Sequence, residues 1–271
     1  MTFTYAVNCS LLFTELPLEE RAAAARQAGF GAVEFWWPWA QAVPPQADVD
    51  AFVSSITRAD TRLAGLNFWA GHMPGGDRGM LSHPDRSAEF AANVELVMDI
   101  ASRTGCTAFN ALYGLRLDGV SEHEQDAAAS VNLGLAAEAA ATLGGIVLLE
   151  PISGAPAYPL LTAGAAVAVI DRVAAERGLD NLRLLYDAYH LDVNGDDVFA
   201  ALAAYYDRIG HVQIADNPGR HEPGTGVLDI PRILAELDRR GWDRYVALEY
   251  TPRTTSADAF DWLPPQRRGP Q

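Results

Sequence analysis

Short apolar runs rich in Val, Leu, Ile and Phe recur along the chain, separated by longer stretches in which alanine and leucine return every three or four positions. The first kind of run has the continuous or alternating pattern of a buried strand, the second the 3.6-residue period of an amphipathic helix. Strands are predicted at 5–9, 32–36, 62–68, 108–112, 146–150, 182–187, 211–215 and 245–249. Helices are predicted at 18–28, 48–59, 87–103, 122–143, 163–177, 198–206 and 230–240. Several end at glycine (Gly29, Gly105, Gly144, Gly178, Gly241), which takes the left-handed position after a helix without a Cβ clash.

Strand and helix alternate throughout, which calls for a parallel sheet, and eight strands are the number that closes a barrel. The fold expected is therefore α/β, a single (β/α)8 TIM barrel over residues 1–263, followed by a proline- and arginine-rich tail over 264–271 expected to be disordered. An open doubly wound sheet is the competing arrangement. Its dinucleotide turn should follow a strand, whereas Gly29-Phe30-Gly31 precedes one.

Composition narrows the chemistry. The net charge is −15, which disfavours nucleic acid and anionic membrane surfaces as partners. All 20 basic residues are arginine. Without lysine, Schiff-base aldolase, pyridoxal-phosphate and P-loop mechanisms are excluded, and a carbonyl substrate must be polarised in another way, for which a metal ion is the natural candidate. Cys9 and Cys106, far apart and outside any CxxC spacing, read as free thiols of a reducing compartment. The first residues lack the basic start of a signal peptide and no apolar run is long enough for a bilayer, so a cytoplasmic location is expected. Homo-oligomerisation is left open.

In a (β/α)8 barrel the reactive groups sit at the C-terminal ends of the strands. Strand five ends in Glu150, strand six in Asp187 and strand eight in Glu249, and strand seven carries Gln213. Each alone is more often a helix cap or an arginine partner. Together, on adjacent strands, they bring three carboxylates and one amide oxygen to one rim, where anions repel unless a cation sits among them. An all-oxygen set suits a hard divalent metal such as Mg2+ or Mn2+. His190 follows Asp187 closely. Arg220 lies in the Gly/Pro-dense stretch 216–226, where a guanidinium could meet a substrate carboxylate. His211 shares a face with Gln213 and is either a core histidine of the barrel interior, the favoured reading, or a partner standing behind the ligand residues. Trp36, Trp37, Trp39 and Trp69 follow strands two and three and either wall the site or pack helices. The stretch 71–79 is a long loop with the composition of a lid.

These pieces resemble the hydroxypyruvate isomerase family within the xylose-isomerase-like barrels. The matching segments are Leu149-Glu150-Pro151, Tyr186-Asp187-Ala188-Tyr189-His190, His211-Val212-Gln213-Ile214-Ala215-Asp216, the arginine loop from Pro218 to Gly226, and Leu248-Glu249-Tyr250. The resemblance implies Glu150 and Glu249 as paired acid/base carboxylates, Asp187 and Gln213 completing a metal shell with them, and His190 and Arg220 as substrate-binding groups. Glutamine at 213 separates this chain from relatives similar to ketose 3-epimerases, which usually carry histidine there. The substrate implied is a small anionic hydroxy-carbonyl, hydroxypyruvate first, with a 2-oxo-tetronate or a longer ketose as the rival. Apurinic endonucleases of a related barrel need several histidine ligands and a basic groove, and a catalytically silent barrel would not need both glutamates.

Overall fold

A computed structural model describes residues 3–269. Eight strands, β1 (Thr4–Asn8), β2 (Ala32–Phe35), β3 (Arg62–Asn67), β4 (Ala108–Asn110), β5 (Ile146–Leu149), β6 (Leu182–Asp187), β7 (Ile209–Ile214) and β8 (Tyr245–Leu248), pair in chain order, all parallel. The ring closes where β1 pairs with β8, Thr4 beside Tyr245 and Val7 beside Leu248. Around it lie α1 (Leu18–Gln27), α2 (Gln46–Arg58), α3 (Ser87–Thr104), α4 (Glu122–Ala141), α5 (Ala163–Arg177), α6 (Ala188–Val193), α7 (Val198–Tyr205) and α8 (Ile230–Arg239). This is the single (β/α)8 barrel that the alternation of patterns predicts. No helix among the described residues is long and apolar enough to cross a membrane.

Side-chain oxygens start all five helices after the first three by accepting orphan backbone N–H groups: Ser121 for α4, Thr162 for α5, Asp187 for α6, Asp197 for α7 and Asp229 for α8. Strand β7 begins two residues before the predicted start, because Gly210 belongs to it. A Cβ there would come within 2.6–2.8 Å of Arg183, Leu148 and Ile146, so the barrel needs a residue without a side chain where composition suggests a break. The tail also differs from expectation. Residues 265–267 form a 3-10 turn, and the Arg268 guanidinium donates to the carbonyls of Leu263 (2.8 Å), Phe260 (2.9 Å) and Ala28 (3.2 Å). Proline and arginine are equally the composition of a solvated tail and of a cap on buried carbonyls, and partners decide between them. Residues 270 and 271 lie outside the described residues.

The side chains separate into two cores. The large one fills the space between strands and helices. A small layer of alanines, Ala6, Ala32, Ala64 and Ala247, lies apart from it inside the barrel, with Ala108, Leu148 and Leu185 forming a similar interior group. Successive side chains alternate faces, so the residue two positions further along each strand also points inward, one layer nearer the C-terminal rim. On six strands those residues are Asn8, Glu34, Asn110, Glu150, Asp187 and Glu249, all buried, whereas on β3 the same step reaches Leu66 of the large core. The interior thus changes from apolar to polar within one layer, and that boundary is the floor of a cavity of about 700 Å3.

Candidate active site

Asp187 shows how one side chain serves two purposes. As the N-cap of α6 it accepts the backbone N–H groups of Tyr189 (2.8 Å) and His190 (3.2 Å) through Oδ1. Its other oxygen, Oδ2, is buried and makes no hydrogen bond, with His190 Nε2 at 3.7 Å and an Arg220 amino nitrogen at 3.6 Å. Next to it in register on β7 stands Gln213, whose Oε1 is also buried without a hydrogen-bond partner. Buried polar atoms are seldom left so, and two acceptor oxygens side by side on one rim can serve a bound cation.

Glu150 and Glu249 flank this pair from β5 and β8. Glu150 Oε2 accepts from Asn110 Nδ2 at 2.6 Å, and its Oε1 is 3.9 Å from His190 Nε2. The hydroxyl of Tyr158 donates to the Glu150 backbone carbonyl at 2.8 Å. Glu249 Oε1 accepts from Trp36 Nε1 (2.6 Å) and Asn8 Nδ2 (3.1 Å), and its Oε2 lies 2.9 Å from Arg220 as an ion pair out of hydrogen-bond alignment. Burial, with the Asp187 charge second, pushes the Glu150 carboxyl up to about 8. Burial likewise holds Glu249 well above the usual carboxylate range, against the pull of Arg220. These carboxylates resist ionising together, and a cation among them would reverse that.

Glu150, Asp187 and His190 offer ligand-type atoms all within 4.8 Å of one another, close enough to share one metal ion. The histidine is the weakest of the three. Its Nδ1 accepts the Ser153 backbone N–H at 3.0 Å, so a neutral ring carries its proton on Nε2. Burial lowers the His190 pKa to about 4, which keeps the ring neutral. Nε2 then faces Glu150 and Asp187 as a donor, not as a lone pair for a metal. Gln213, an oxygen with no partner, is the better fourth group.

Arg220 sits at the mouth, between the rings of Tyr189 (5.4 Å) and Trp36 (5.7 Å). Its backbone is left-handed at φ 56°, an uncommon conformation for a side-chain-bearing residue. The loop is folded by Asp216, whose carboxylate accepts the N–H groups of Asn217, Gly224 and Leu228. Burial works against the Arg220 charge, but Glu249, Asp187 and Glu150 overcome it and its pKa is raised. All four tryptophans line the cavity, as do His72, Met73 and Arg78 from the 71–79 loop. Wall and packing are not alternatives, since Trp39 also packs edge-to-face against Phe52 of α2.

The structure thus brings the sequence candidates Glu150, His190, Arg220 and Glu249 to one cavity, with Asp187 behind His190 and Arg220 and Gln213 beside Asp187 in register. His211 is interior, as expected, but belongs to the site's supporting layer, because its Nε2 bonds Glu34 Oε2 at 2.7 Å. Glu34, Asn8 and Asn110 escape a reading based on strand ends, because each looks like an ordinary strand residue. Their signal is the inward position two residues after Ala32, Ala6 and Ala108.

The pattern of the xylose isomerase-like TIM barrel family matches residues 22–266. The chain belongs to that family. It is 51% identical over 265 residues to a Streptomyces coelicolor protein named "Putative hydroxypyruvate isomerase", covering 96% of this chain and 95% of that one. It is 30% identical to the hydroxypyruvate isomerase of Escherichia coli, covering 97% and 99%, and 33% identical to a 2-oxo-tetronate isomerase of Cupriavidus necator, covering 96% and 97%. A crystal structure described as an AP endonuclease of family 2 from Brucella melitensis superposes with a TM-score of 0.87 at 29% identity, over 97% of this chain and 98% of that one. By these relationships the chain is an enzyme of the isomerase kind.

Proposed function

We propose that the enzyme interconverts hydroxypyruvate and tartronate semialdehyde through an enediolate. The observation that carries this reading is the pair of buried glutamates, Glu150 and Glu249, standing on either side of two buried oxygens that make no hydrogen bond, with Arg220 beside Glu249. A divalent ion, Mg2+ or Mn2+, fits that donor set: Glu150, Asp187, Glu249 and the Gln213 amide oxygen would hold it. When bound, such an ion supplies Lewis-acid polarisation of the substrate carbonyl.

The remaining work falls to side chains. Arg220 binds the substrate carboxylate, stacked between Tyr189 and Trp36 so that its fork is pre-oriented. Glu249, whose Oε2 lies 2.9 Å from the Arg220 guanidinium, takes the proton from C3. Glu150 returns a proton to C2 on the other side of the enediolate, while the proton of the C3 hydroxyl passes to the C2 oxygen, leaving the aldehyde at C3 and a hydroxyl at C2. His190 donates from Nε2 to the oxygen that gains charge, and its Ser153 contact holds the ring for that purpose. The tryptophan wall excludes water from the intermediate. Arg220, with Arg78 lining the same cavity, suits a small anionic substrate, and a protein of charge −15 is ill suited to a nucleic acid backbone.

A cavity of about 700 Å3 is larger than a three-carbon acid needs, which favours a 2-oxo-tetronate as the second reading. NMR-monitored turnover of both acids by the metal-stripped and the Mg2+- or Mn2+-loaded enzyme tests the proposal. Hydroxypyruvate conversion that disappears on chelation and returns with the ion is the expected result. A preference for the four-carbon acid moves the substrate assignment, and undiminished turnover in a demonstrably metal-free sample removes the metal.

A further inference from the structure

Beneath the ligand-type residues lies a buried carboxylate to which the reaction assigns no task. Glu34, on β2, is 3% exposed and accepts from three side chains on two other strands. Gln213 Nε2 (2.8 Å) and Asn8 Nδ2 (2.8 Å) donate to its Oε1, and His211 Nε2 (2.7 Å) faces its Oε2. A network serving the fold alone would close on itself. This one satisfies the Gln213 NH2 and leaves the Gln213 Oε1 buried without a partner.

We propose that Glu34 is a positioning residue that decides which end of the Gln213 amide faces the site, and that steadies Glu249 through Asn8. The proposal rests on the metal reading above. An amide is nearly symmetric in shape, and its two ends differ in that NH2 only donates and the oxygen only accepts. The Glu34 carboxylate oxygens accept from the donors around them. Placed against Gln213, the carboxylate takes the NH2 and turns the oxygen towards Asp187, its neighbour in register, where a hard cation requires oxygen. Asn8 carries the same constraint across the barrel. Its Oδ1 accepts the Ser10 N–H at 3.0 Å, which orients the amide, and its Nδ2 spans Glu34 and Glu249 at 2.8 and 3.1 Å. One carboxylate side chain therefore orients one oxygen donor directly and a second through a single intermediary. A neutral amide at 213 can serve as an oxygen ligand for this reason.

The test is direct Mn2+ titration of the metal-stripped full-length protein, by calorimetry and by electron paramagnetic resonance of the free ion. The proteins are the wild type, E34Q, Q213E and the exchange E34Q/Q213E, each checked for fold by circular dichroism. In E34Q the new amide can present either end, Gln213 loses its fixed orientation, and Mn2+ affinity should fall on the order of 10–100-fold, the usual cost of losing an outer partner of a ligand. In the exchange, the amide at position 34 donates to a carboxylate at position 213, oxygen again faces the site at unchanged net charge, and the affinity lost in E34Q should return. A wild type that binds no Mn2+ removes the metal reading and this proposal with it. A wild type that binds, with E34Q binding equally well or the exchange binding no better than E34Q, overturns the role of Glu34 and leaves the metal reading standing. If E34Q and the exchange both fail to fold while Q213E folds, Glu34 serves the fold alone and the proposal is equally overturned.

Discussion

Arg220 offers the sharpest perturbation, because in this structure it stands where charge compensation for the carboxylates must come from. Its guanidinium lies 2.9 Å from Glu249 and 3.6 Å from Asp187. At an effective dielectric of about 20, charges so placed attract by roughly 6 and 5 kcal/mol before the cost of desolvating them. Removing one partner of a buried pair costs about 3–5 kcal/mol in practice, and with the arginine side chain 18% exposed the lower end applies. Arg220→Ala should therefore destabilise the metal-stripped protein by about 3 kcal/mol, a fall in Tm on the order of 6–12 °C for a chain of this size. Saturation with Mn2+ should behave differently. With a competing cation removed, the variant should bind Mn2+ more tightly than wild type, and each tenfold gain in affinity closes about 1.4 kcal/mol of the stability gap at fixed saturating ion. Thermal melts with chelator and with Mn2+, alongside direct titration, measure both quantities. If the gap is the same in both conditions and the Mn2+ affinity is unchanged or weaker, Arg220 is held by its stacking on Trp36 and Tyr189, and the carboxylates do not depend on its charge.

Glu249→Gln keeps the acceptor for Trp36 and Asn8 but loses the base, so kcat should fall at least ~10²-fold; exchange of solvent deuterium into C3 of hydroxypyruvate at the wild-type rate would instead pass the abstraction to Glu150. Trp36→Phe preserves an aromatic wall and removes the 2.6 Å bond to Glu249, so kcat should drop more than KM rises, and an effect on KM alone would make Trp36 a wall only. Ser121→Ala deletes the cap that accepts Glu124 N–H at 3.2 Å and should cost ~1 kcal/mol in chemical denaturation with kcat unaltered, an altered kcat pointing to coupling between α4 and the site.

Periodicity alone was enough for the barrel, because alternating strand and helix patterns leave few topologies and a parallel sheet must be covered on its outer face. Strand-end polar residues made Glu150, Asp187 and Glu249 visible, since a carboxylate after an apolar run is costly without a reason. The same logic could not reach Gln213's partner. Glu34 sits 179 positions away and meets Gln213 only when the ring closes and both strands turn the same face inward. Asn8 and Glu249 are separated by 241 positions and joined by the β1–β8 seam. Which nitrogen of His190 carries the proton was equally beyond a linear reading, because the Ser153 amide that decides it arrives from the loop after β5. Local pattern determines which face each residue takes, since that depends only on the backbone's period. Partnership between inward-facing residues depends on register and closure, which are properties of the whole ring, and so it was decided only by the tertiary structure.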